Sequence, residues 1–128
     1  MAKSTIEKEK KETERIKPIR LIDNETGDEY ILDFDLEACK FCDRQGIDVD
    51  SILTHPATQG ELFFFCAFRM HHKNRMPKEK TDKILWNALG GFNEKTADVF
   101  MRLVELYYQA LGVLSDGEEE NPRMTVEL

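Results

Sequence analysis

Leu62-Phe63-Phe64-Phe65-Cys66-Ala67-Phe68 is an unbroken apolar run in a chain of which 34% is charged. It leads directly into Arg69-Met70-His71-His72-Lys73. A helix here is apolar on nearly every side, so it must be covered nearly all round. The cover comes either from the rest of a small core or from another protein.

At 128 residues the chain fits one domain with a thin core, for which self-association into a homo-oligomer would add burial. Residues 1–16 mix lysines and glutamates with only Ile6 and Ile16 to anchor them, and 115–128 is mainly acidic. Both are expected to be disordered arms around one folded unit, 17–114. The net charge of −7 argues against a nucleic-acid partner, which asks for a basic excess. The charge is unevenly laid out. Ten acidic residues face two basic ones from Asp23 to Asp50, and six basic face two acidic from Arg69 to Lys83. Two solvated surfaces are one explanation, and patches that orient copies or partners the other. The charged start lacks the apolar stretch of a secretion signal. No run approaches the ~18 residues of a membrane span. Three cysteines, an odd number, fit reduced thiols in a cytoplasm.

Ile19 and Leu21 alternate with Arg20, and Tyr30 and Leu32 with Ile31 and Asp33, on either side of Asn24-Glu25-Thr26-Gly27. That predicts a β-hairpin over 18–34, which needs helices on one face or another chain on its edge. Asp35 is placed to cap a helix from Leu36 to Gln45, ended by Gly46, with Leu36, Cys39 and Cys42 inward and Phe41 on a flank. Asp50 or Ser51 is expected to cap a short turn before Pro56. A second helix, from 58 to about 73, carries the apolar run. A third, 81–89, has Ile84, Leu85, Ala88 and Leu89 on one face with Trp86 off it. The fourth is capped by Asn93 and closed by Gly112. It repeats Phe100, Leu103, Val104, Tyr107 and Leu111 at helical spacing, widened by Val99, Leu106 and Ala110. The expected fold is α+β, α-dominated: an N-terminal β-hairpin followed by a bundle of about four helices.

Little of the sequence is organised for chemistry. Cys39 and Cys42 form a CxxC, with His71, His72, Cys66 and His55 as the available further ligands for zinc. Adjacent histidines on a helix point about 100° apart and chelate poorly, and a hairpin before helices is not the setting of a redox CxxC. The histidines and cysteines form no triad signature, and Gly90-Gly91 lacks the Lys-Ser/Thr of a phosphate loop. No cofactor and no enzymatic activity are expected. Surplus apolarity leaves Phe63, Phe64, Phe68, Met70, Trp86 and Tyr108 as candidate partner contacts, with core filling as the alternative for each.

The order of elements resembles a family of small proteins of tailed phages and prophages of Gram-positive bacteria, the tail assembly chaperones. The features that carry the likeness are the hairpin, the acidic helix ending in Arg44-Gln45-Gly46-Ile47-Asp48-Val49-Asp50, the aromatic helix, and the close on Glu105-Leu106-Tyr107-Tyr108-Gln109-Ala110-Leu111 with an acidic tail. The charged arm at 1–16 departs from it. The resemblance implies a non-enzymatic protein of the host bacterial cytoplasm. Its partners would be the tape measure protein, which it keeps soluble, and the tail tube protein, whose polymerisation it helps. The alternative is a small phage regulatory or adaptor protein that binds a host protein through its acidic surface.

Overall fold

The computed structural model describes residues 15–113 and 123–128. The disorder expected at the two ends therefore falls mostly outside the described residues. Strands β1 (Ile19–Ile22) and β2 (Glu29–Leu32) pair antiparallel, with Ile19 opposite Leu32 and Leu21 opposite Tyr30. The Asp23 carboxylate organises the turn by accepting the N–H groups of Glu25 and Thr26 at 2.9 and 3.3 Å. Those bonds favour the charged form and hold Asp23 below its usual pKa. Gly27 takes a φ of 79°, which the turn demands and a side chain would resist.

Helix α1 (Leu36–Arg44) starts where Asp35 accepts the Ala38 N–H at 2.7 Å. Ala38, Cys39 and Cys42 face inward, whereas Leu36 is 50% exposed, contrary to expectation. At about 100° per residue Leu36 lies roughly 110° from the centre of that buried arc. The next short turn, Val49–Ser51, is capped by Asp48 rather than by Asp50 or Ser51. Asp48 accepts both the Asp50 N–H and the Ser51 hydroxyl.

The aromatic helix is not continuous. It opens earlier than expected as a π turn, Pro56–Gly60, and continues as α2 (Glu61–Cys66). It breaks at Ala67-Phe68, resumes as α3 (Arg69–His72) and ends in a tight turn, Lys73–Arg75. The break has a cause outside the helix: the Ala67 carbonyl accepts the Asp33 N–H, beyond the end of β2, at 3.1 Å. Helix α4 (Lys78–Lys83) begins directly after Pro77, ahead of the expected Thr81, and passes into a second π turn, Ile84–Ala88. The extra residue of that turn rotates Ala88 out to solvent while Leu85 stays buried. Helix α5 (Glu94–Ala110) has a reciprocal cap. Asn93 accepts the Thr96 N–H at 3.1 Å, and Thr96 Oγ1 accepts the Asn93 N–H at 2.7 Å. The fold is thus α+β and helix-dominated, a hairpin followed by five helices among the described residues.

The apolar run is covered by its own chain. Phe63, Phe64, Cys66, Ala67 and Phe68 are buried, and Leu62 and Phe65 half-buried. Phe34 stacks on Phe63 at 5.1 Å, Tyr30 meets Phe68 edge-on at 6.0 Å, and Phe41 tilts against Phe65 at 5.8 Å. Phe64 touches Phe100 of α5, and Phe100 stacks on Phe92 at 4.7 Å. Hairpin, α1 and α5 each place one or more rings on this run, so aromatic contacts join the whole core.

The same segment seals one edge of the sheet. The Ile31 N–H points away from β1 and donates to His72 Nε2 at 3.0 Å. A ring nitrogen that accepts must be unprotonated, so His72 is neutral here. Burial, together with the charges of His71, Arg75 and Lys80, lowers its pKa from the usual 6.5. Tyr30, Phe68 and Lys80 flank the ring side, and Asp33 pairs with His71 at 3.8 Å. A depressed histidine pKa contributes stability that is fully present above about 6.5 and is lost as the pH falls through the folded value. His72→Gln, which keeps an acceptor that does not titrate, is expected to flatten the fall in urea midpoint between about pH 6.5 and 5 relative to the parent. An unchanged slope would assign the acid sensitivity to other groups.

Candidate functional site

The residues named for chemistry are placed apart or neutralised. The Cys39 thiol donates to the Tyr107 carbonyl at 3.6 Å. Burial and the nearby Asp43 and Asp35 push it up to about 12. Cys42 is hydrogen-bonded to Cys66 across the α1–α2 contact, and that bond, with burial, drives its pKa far upward. These are thiols rather than thiolates, and the thiolate is the nucleophilic form. His71 faces Asp33, His72 holds the strand edge, and His55 contacts the Thr54 hydroxyl at 3.2 Å. Among the described residues, no three His, Cys, Asp or Glu side chains converge on a point fit for a metal. No described helix is long and apolar enough to cross a membrane.

The six candidate contacts separate into two groups. Phe63, Phe64 and Phe68, named as candidate partner contacts, are buried in the chain's own core and present no surface in this chain. A helix apolar all round has no outward side until its neighbours are known, and Tyr30, Phe34 and the α5 rings Phe100 and Tyr107 meet all three. Met70 and Tyr108 are half-buried and Trp86 is 38% exposed. Trp86 is pinned: its indole N–H donates to Glu61 Oε2 at 2.7 Å, and its ring packs on Phe92 at 5.5 Å. Glu61 also pairs with Lys78, which reaches Asp82 at 2.9 Å. Burial raises the Glu61 carboxyl, but the bonds from Lys78 and Trp86 outweigh it and leave the group below its usual range.

The best surface for a partner lies on α5, and the sequence reading merged it with the core stripe. Phe100, Leu103, Leu106 and Tyr107 are buried, and the Tyr107 hydroxyl donates to Asp43 at 2.6 Å. Beside them runs a second line, Ala97, Met101, Val104, Tyr108 and Leu111, at steps of four, three, four and three residues. At about 100° per residue these five fall within roughly 80° of one another. Met101 is 56% and Leu111 42% exposed, Ala97 is exposed, and Val104 and Tyr108 are half-buried. The four-three rhythm is that of a coiled-coil seam. On the same reckoning, the solvent flank nearest the seam carries Glu94, Asp98 and Glu105, all exposed. The sequence signal was there in the spacing of Met101, Tyr108 and Leu111, but Val104 and Leu111 had been counted to the core stripe.

The whole chain, residues 1–128, matches DUF5055, a domain of unknown function. The chain belongs to the DUF5055 family. No curated protein and no solved structure matches it.

Proposed function

We propose that this DUF5055 chain is a non-enzymatic phage tail assembly chaperone. It holds a helical segment of the tape measure protein in the host bacterial cytoplasm while the tail tube polymerises. The observation that supports this reading is the α5 seam: five apolar side chains at coiled-coil spacing, three exposed and two half-buried, flanked by Glu94, Asp98 and Glu105. Such a surface fits an amphipathic helix whose apolar stripe is edged by lysine or arginine. Holding is reversible because the uncovered area is one helix face, not a closed core.

The test is co-expression with a tape measure segment. The parent chain is expected to keep that segment soluble and to bind it. Met101→Glu combined with Leu111→Glu should weaken binding at least about tenfold, a loss of roughly 1.4 kcal/mol. The double variant's thermal midpoint should stay near the parent's, because both side chains are exposed. Equal recovery of soluble tape measure protein with and without this chain would defeat the reading. Capture of a host protein lost on reversal of Asp23, Glu25 and Asp28 would favour the adaptor alternative.

A further inference from the structure

The sheet has one sealed edge and one open edge. On β2 the outward N–H groups of Ile31 and Asp33 are taken by His72 and Ala67. Since Ile31 points outward, its opposite residue Arg20 does too, and Ile22 follows two residues on. The Arg20 and Ile22 backbone groups therefore face away from β2, and no described residue bonds their N–H groups. Ile22 is 53% exposed. An unpaired edge of this kind accepts one more strand.

The chain carries a segment that fits it. Met124-Thr125-Val126-Glu127-Leu128 alternates apolar and polar, and its Met124, Val126 and Leu128 are exposed. Strict alternation with a central valine is a strand signature. We propose that residues 124–128 add to the outer edge of β1 of the same chain as an antiparallel third strand. One register satisfies both faces. Leu128 lies opposite Ile19 and Val126 opposite Leu21, extending the apolar face toward the core. Glu127 lies opposite Arg20 and Thr125 opposite Ile22 on the solvent face. Arg20, which already pairs with Glu29 of β2, then stands between two carboxylates. Opposite charges placed directly across a strand pair are favourable, and like charges there are unfavourable.

The reach is sufficient. The end of α5 lies beside the start of β1, where Gln109 Oε1 accepts the Ile16 N–H at 3.0 Å. β1 itself is only about 13 Å long at roughly 3.3 Å per residue. The residues between 113 and 124, extended at the same rise, span more than that length. The segment can therefore pass the far end of β1 and return along it. A short strand joined to its site by a short linker meets it at a millimolar effective concentration, which favours the same chain over a second copy.

Amide hydrogen exchange followed by NMR on the full chain tests this. The Arg20 and Ile22 amides should exchange at least about tenfold more slowly in the parent than in Glu127→Pro, which removes the N–H that faces Arg20 in this register. The Phe100 and Leu103 amides should be unaffected, since Glu127 is outside the packed body. Arg20→Glu alone should lose protection at Ile22, and Arg20→Glu with Glu127→Arg should regain it. Equal exchange at Arg20 and Ile22 in the parent and Glu127→Pro would overturn the proposal. So would protection that rises with protein concentration, because that assigns the strand to a second copy. Neither readout depends on the α5 seam, so this inference and the chaperone reading fail separately.

Discussion

Phe64→Ala is expected to lower the unfolding free energy by about 3–5 kcal/mol, read as a fall in urea midpoint with little change in slope. Phe64 is completely buried and joins Phe68 at 5.2 Å to Phe100 at 6.1 Å, so its removal opens a hole between α2 and α5. Domains of this size hold on the order of 5–15 kcal/mol in total, so the variant stands near the threshold of folding. Phe65→Ala is the control. Its neighbour in the run is half-buried and tilts only against Phe41, so a loss below about 1.5 kcal/mol is expected. The contrast tests the direction in which the apolar run faces. If Phe64→Ala left stability intact and removed partner binding instead, the ring would belong to an outer surface.

Gly60→Ala is the second large effect, and it adds one methyl group. A Cβ at Gly60 would stand 2.6 Å from Phe92 Cζ and 3.2 Å from Phe92 Cε1. The Phe92 ring cannot swing aside freely, because it is stacked on Phe100 at 4.7 Å and packed against Trp86 at 5.5 Å. Overpacking of this kind costs about 1–3 kcal/mol. The assignment is checked by a double-mutant cycle with Phe92→Leu. If the clash is the cause, the pair should be more stable than the two single losses predict, by at least about 0.5 kcal/mol. Strict additivity would place the cost in the π turn's backbone instead.

Local chemistry was legible in the sequence. Asp35, Asn93 and the Asn24–Gly27 turn act through bonds that span a few residues, so composition and spacing located them. The Asp48 cap is a local miss, two residues from the expected Asp50, whereas the larger features missed depend on distant residues. Nothing near Ala67 signals a break, because the donor that captures its carbonyl is Asp33 at the far end of the hairpin. The π turns at Pro56–Gly60 and Ile84–Ala88 likewise escape a periodicity built on 3.6 residues per turn, and the second of them explains the outward Ala88. Phe63, Phe64 and Phe68 have no preferred side in a helix that is apolar all round. The α5 seam was hidden for a related reason. Its side chains and those of the core stripe form one broad apolar arc, and only the packed neighbours divide it.

The blocked edge of β2 has a bearing on how chains of this kind can assemble. Because an imidazole and a carbonyl of the same chain already occupy that side, the sheet has a single vacancy. Hydrogen-bonded growth halts only where the strand taken up at β1 is the β1 of a second copy, because its outer neighbour is then another blocked β2. Two chains meeting there would consume each other's only opening and form a closed pair, with no open end to propagate a filament.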